Sequence, residues 1–254
     1  MHGWSHLNNY LVDHSTQRNG TAEYFTFWSG QAASKTLERR ERTQQIFIDG
    51  VDQLVQNVSS DWKIVHLHHN SFHLNESESI LSNWRNIVES KGCHFVASIL
   101  FREALMHSLA LHKYQKNISR EEWISHLAVS DSSQASNRLS PYGYETQLDY
   151  FLYNKIVRNP YLVSAQEKVD RALELLARHF DIISVGEHEK FKERIQQFTG
   201  WDSDNEEMKR KNTYRGEIHF TKREVENLQR LLDANGDIDF LEKVKLLFGN
   251  TIST

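Results

Sequence analysis

Short runs of β-branched and aromatic residues alternate along this chain with longer stretches whose apolar residues recur every three or four positions. That alternation constrains the fold more than any other feature. TAEYFTFW (Thr21–Trp28) is dense in strand-forming residues and stops at Ser29-Gly30. From Ser34 a helical period takes over, with Ile46, Phe47, Val51, Leu54 and Val55 behind a charged first half, LERRERTQQ. WKIVHLHHN (Trp62–Asn70) predicts a second strand. SESILSNWRNIVES (Ser77–Ser90) predicts a helix capped by Ser77 or Ser79 and closed by Lys91-Gly92. CHFVASILF (Cys93–Phe101) is a nearly unbroken apolar run, which predicts a strand buried on both faces. REALMHSLALHKYQ follows it directly as a helix. Right-handed βαβ units on a parallel sheet satisfy such an order.

The second half continues the theme less regularly. From Asn117 to Pro160 the chain is Ser-rich in part and then aromatic (YGYETQLDYFLY), which reads as a helical insertion and loop near a site opening. A helix (SAQEKVDRALELLARHF), a short strand (Asp181–Glu187) and a helix (EKFKERIQQFTGW) come next. The basic loop KRKNTYRG then precedes a closing helical pair, TKREVENLQRLLDANG and DIDFLEKVKLLFG. The expected class is α/β, as one domain over 1–254, with 1–20 as an N-terminal extension and 117–160 as the insertion.

Composition closes off other classes. With 39% hydrophobic and 25% charged residues the chain can bury a core. No apolar run approaches the roughly 18 residues that a membrane-spanning helix needs. MHGWSHLNNYLVDHSTQ lacks the basic start and apolar stretch of a signal peptide. Cys93 is the single cysteine, so no intrachain disulfide and no Cys-based zinc site is expected. A net charge of −4 argues against a generally basic nucleic-acid binder and leaves room for a local basic pocket.

Four segments carry candidate chemistry. Gly30, Gln31, Ala32, Ala33, Ser34, Lys35 and Thr36 lie between a predicted strand and a predicted helix. Free backbone N–H groups and the helix dipole there favour an anion, and Lys35 and Thr36 add a charge and a donor. The second glycine of the Walker pattern is absent, and Ser34 as an ordinary helix cap is the plain alternative. Arg102-Glu103 emerges from a predicted parallel strand at the carboxyl edge, where such sheets bind ligands. Arg102 can clamp a phosphate, or it can simply solvate the strand end beside Glu103. Ser108 reaches the same place only if its helix begins late. In HLHHNSFH, His66 and His68 fall on one face of a strand and His69 on the other. They serve as a general base with its neighbour, as a metal pair, or as ordinary half-buried histidines. Lys209, Arg210, Lys211 and Arg215 make a basic patch in an acidic protein, either an anion lid or a solvated charge run.

The order of these pieces resembles the carbohydrate sulfotransferases that use 3′-phosphoadenosine 5′-phosphosulfate (PAPS), especially the galactose 3-O- and uronyl 2-O-sulfotransferase branches. G-Q-A-A-S-K-T-L (Gly30–Leu37) is similar to that family's 5′-phosphosulfate loop. F-R-E-A-L-M-H-S-L-A-L-H (Phe101–His112) is similar to its 3′-phosphate motif, and His66-Leu67-His68 to the H-x-H strand of the 2-O branch. EKVDRALELLARHFDIISVGEHEKFKERIQQFTGW, KRKNTYRG and N-G-D-x-D-F-L resemble the family's C-terminal elements. Gln31 stands where the family carries a lysine, and Ala104 and Ala110 replace the motif's proline and serine.

The resemblance implies a P-loop-like three-layer fold, a central mainly parallel sheet flanked by helices. It implies PAPS as co-substrate, no metal, and sulfuryl transfer to a hydroxyl of a carbohydrate or other small acceptor, with no nucleic-acid partner. Residues 30–36 would hold the 5′-phosphosulfate, with Lys35 in a catalytic role. Arg102 and Ser108 would hold the 3′-phosphate, under Lys209, Arg210 or Lys211. His68 would act as general base, with His66 next in line. A nucleotide- or partner-binding domain of weakened activity and a His-rich metal-binding protein are the alternatives.

Overall fold

In the computed structural model of the chain, residues 22–28, 37–58, 62–68, 74–114, 146–152, 164–199 and 220–249 are described. They form β1 (Ala22–Trp28), α1 (Leu37–Gln56), β2 (Trp62–His68), α2 (Leu74–Ser90), β3 (Ser98–Phe101), α3 (Ala104–Tyr114), α4 (Gln147–Leu152), α5 (Ala165–His179), β4 (Ile182–Val185), α6 (His188–Thr199), α7 (Lys222–Asn235) and α8 (Asp237–Phe248). The described residues are mostly helical and carry two parallel two-stranded ladders, β1–β2 and β3–β4. The chain divides into two compact units. One comprises residues 1–72, 77–97 and 188–213, and the other 73–76, 98–187 and 214–254.

In the first unit, β1 and β2 pair in register from Ala22↔Trp62 to Trp28↔His68, with α1 in the crossover between them. This is the parallel pairing that the alternation predicts. Val51 and Val55 of α1 and Leu81, Trp84 and Val88 of α2 are buried at helical spacing. Trp84 Nε1 donates to Asp52 Oδ1 at 2.6 Å, tying α2 to α1. The last turn of α1 has no basic residue of its own. Lys91 supplies the charge instead, donating from Nζ to the carbonyls of Val55 (3.1 Å) and Gln56 (2.6 Å).

In the second unit, β3 and β4 pair from Ser98↔Ile182 to Phe101↔Val185. Phe101 meets Phe151 and Phe240 edge-on, with ring centroids 5.7 and 5.3 Å apart. Val169, Leu175 and Leu176 of α5, Leu228 and Leu232 of α7, and Leu241 and Val244 of α8 are buried with this cluster. Capping boxes start two of these helices: Ser164 with Glu167 on α5, and Thr221 with Glu224 on α7. Gly236, at φ 90°, ends α7 and starts α8, a left-handed step that glycine takes without strain.

Several expected boundaries move. The strand foreseen over Cys93–Phe101 forms a ladder only over Ser98–Phe101, and Ser98 is exposed while Leu100 and Phe101 are buried. Four ladder pairs are all that β4 offers. Phe95, in the remainder of the run, instead packs on α2: its ring lies 5.1 Å from the Arg85 guanidinium carbon, and its carbonyl accepts from Arg85 Nη1 at 3.1 Å. β4, by contrast with β3, is buried along its whole length. α2 begins at Leu74, so Ser77 and Ser79 lie inside the helix and cap nothing. Of the 117–160 insertion, only 146–152 falls within the described residues, where α4 forms.

Candidate functional site

Parallel strands deliver their carboxyl ends to one edge, and Arg102 of the second unit stands there. Phe101 is the last residue of the β3 ladder, Arg102 and Glu103 follow, and α3 starts at Ala104. β4 ends beside them. Gly186, at φ 70°, donates its N–H to the Phe101 carbonyl at 2.8 Å. The Glu103 side chain lies over Gly186, 3.5 Å from where a Cβ would stand. Lys245 Nζ of α8 pairs with Glu103 Oε1 at 2.5 Å.

Arg102 is half-buried. Among the described residues its guanidinium has no carboxylate or hydrogen-bond acceptor. Burial alone pushes its pKa below the usual arginine value. Its main chain, by contrast, is fully engaged: the N–H donates to Gln147 Oε1 at 2.9 Å, and the carbonyl accepts from Gln147 Nε2 at 2.7 Å. Arg102 therefore presents a fixed backbone and, among the described residues, a cation without a counter-ion at the end of a parallel ladder. Ser108 lies one turn into α3 and is buried. Its helix starts at Ala104, three residues past the β3 ladder.

In the first unit the β1–β2 register sets His68 opposite Trp28, at the carboxyl ends of both strands, and His66 opposite Thr26. Gly30, Gln31, Ala32, Ala33, Ser34, Lys35 and Thr36 lie outside the described residues, as do Lys209, Arg210 and Lys211. Among the described residues, His68 in the first unit and Arg102 in the second each stand at the carboxyl end of a parallel ladder.

The sequence reading missed Gln147 and the polar group behind it. Asp237 is almost fully buried at the start of α8, and its Oδ1 accepts from the Leu148 N–H at 3.1 Å. Asn235 Nδ2 donates to Asp237 Oδ2 (2.7 Å) and to Thr146 Oγ1 (3.0 Å), while Asn235 Oδ1 accepts from Lys168 Nζ (2.7 Å). The Asn235-Gly236-Asp237 triplet is the one local signal of this arrangement, a turn sequence flanked by two amide- and carboxylate-bearing residues. Nothing near Gln147 in the chain announces its partner.

Comparison with known proteins finds no matching family model, no matching curated protein and no matching solved structure.

Proposed function

We propose that this chain is a PAPS-dependent O-sulfotransferase acting on a hydroxyl of a carbohydrate or other small acceptor, built on the three-layer fold that its motif order resembles. The observation that carries this reading is the Arg102 guanidinium, half-buried and without a counter-ion among the described residues, at the carboxyl end of a parallel strand. Partial desolvation of a cation costs free energy that an incoming phosphate offsets through charge-assisted, bidentate hydrogen bonds. The nearest carboxylate in sequence, Glu103, is engaged by Lys245 and does not fill that role.

Within this proposal the resemblance assigns the roles. Arg102 holds the 3′-phosphate of PAPS. The backbone of residues 30–36, with Lys35, holds the 5′-phosphosulfate and offsets charge on the leaving phosphate. His68 takes the acceptor's proton as its oxygen bonds to sulfur. The bond between sulfur and the bridging phosphate oxygen breaks, and adenosine 3′,5′-bisphosphate departs with that electron pair. Positioning and charge stabilisation supply most of the acceleration, as in phosphoryl transfer.

A second reading rests on Gln31, Ala104 and Ala110, which depart from the family motifs: a domain that binds the nucleotide and transfers nothing. Calorimetry with adenosine 3′,5′-bisphosphate and a turnover assay with labelled PAPS over a panel of hydroxyl acceptors separate the two. Binding with turnover supports the enzyme, and binding without turnover supports the second reading. No binding by the full chain overturns both.

A further inference from the structure

Resting on the phosphate role of Arg102, we infer that Gln147 is the positioning residue of that site: its carboxamide fixes the Arg102 main chain and so aims the guanidinium. The pairing has two points, N–H to Oε1 at 2.9 Å and Nε2 to carbonyl at 2.7 Å, as a neighbouring strand would pair. It takes over where β3 has run out of partner, since the ladder ends at Phe101↔Val185. Two such bonds leave the residue little rotational freedom, and a side chain on a rigid main chain loses less entropy when it grips a ligand.

Gln147 is itself held from behind. It is the first residue of α4, flanked by the buried Thr146 and the fully buried Leu148. Asp237 accepts from the Leu148 N–H, and Asn235 reaches Thr146, so the turn between α7 and α8 anchors the start of α4 at two points. Lys168 of α5 closes the chain of contacts on Asn235. Polar groups of this kind stabilise a buried turn when they satisfy one another, and here they hold the two residues on either side of Gln147. A helix of six residues has little stability of its own, which makes the anchorage the reason it stands where it does.

The test uses the full chain and two probes, adenosine 3′,5′-bisphosphate and adenosine 5′-monophosphate, whose dissociation-constant ratio isolates the 3′-phosphate. Gln147→Met keeps the length of the side chain and removes both hydrogen bonds. It is expected to lower the ratio about tenfold while leaving the monophosphate constant unchanged, with Arg102→Ala lowering the ratio at least as far. Gln147→Glu keeps an acceptor for the Arg102 N–H and loses the donor, so its ratio falls between; it also serves if the methionine variant does not fold. A merely structural glutamine would weaken both probes alike. A ratio unchanged in both Gln147 variants but collapsed in Arg102→Ala overturns the inference and leaves the reading of Arg102 standing. A wild-type ratio of one overturns that reading, and the inference falls with it.

Discussion

A cation and a carboxylate stand side by side at positions 102 and 103 with opposite fates. Glu103 is claimed by Lys245, while Arg102 is half-buried with no anion among the described residues. Replacing Arg102 by Ala is expected to leave the fold intact and weaken adenosine 3′,5′-bisphosphate by roughly 1.5–3 kcal/mol, tenfold or more, in calorimetry. Unchanged affinity would place the phosphate elsewhere. His68, at the carboxyl end of β2, carries the second residue-scale prediction. As a base it must be unprotonated, so turnover should rise as pH is raised and the imidazole loses its proton. His68→Ala should lower turnover by roughly two to four orders of magnitude with little change in PAPS affinity, whereas His69→Ala should leave the pH profile alone. The reverse pattern would reassign the base.

Helix ends set the element scale. The Glu167 carboxylate is held below its ordinary pKa first by the Ser164 hydroxyl and then by the Ser164 backbone N–H, with burial opposing slightly. Because the folded value is depressed, the cap's ionic contribution is fully present above the unfolded glutamate value of about 4.3 and is lost as pH falls through the lower folded value. Thermal melts of wild type and Glu167→Gln should therefore differ at neutral pH and converge under acid; a gap independent of pH would show that the cap does not work through charge. The α7–α8 joint makes a sharper demand. At Gly236, φ is 90°, and a Cβ would come 3.1 Å from Val169 Cγ2 and 3.3 Å from the Ala165 carbonyl oxygen. Gly236→Ala combines left-handed strain with a clash against the first turns of α5, and should cost about 1–3 kcal/mol in urea unfolding. Stability within a few tenths of wild type would show that the joint relaxes freely.

At the scale of the whole molecule the second unit rests on one aromatic cluster. Phe240 is fully buried between Phe101 and Phe151, and Phe151 also lies against Phe180 at 6.4 Å between centroids. Phe240→Ala should cost about 3–5 kcal/mol by denaturant midpoint, with Phe240→Leu costing clearly less because it leaves a smaller cavity. Equal losses for the two would mean that ring stacking, and not volume, sets the cost. Phe101 belongs to this cluster and immediately precedes Arg102, so softening the core is also expected to blunt bisphosphate binding in proportion to stability.

Much of this is local and readable along the chain. Spacings of three and four mark α1, α2, α5, α7 and α8, and the alternation of strand and helix foretells parallel ladders. These signals reach only a turn or two along the backbone, which is why periodicity carries them. The length of β3 escaped that reading, because the extent of a ladder is decided by its partner; β4 offers four residues, and Phe95 finds Arg85 instead. The grip on Arg102 escaped it too, since Gln147 is 45 residues away along the chain, and Asp237 lies 89 residues from the Leu148 amide it accepts from. Which polar group meets which stranded backbone amide is settled when elements pack, because only then does burial make an unpaired group costly.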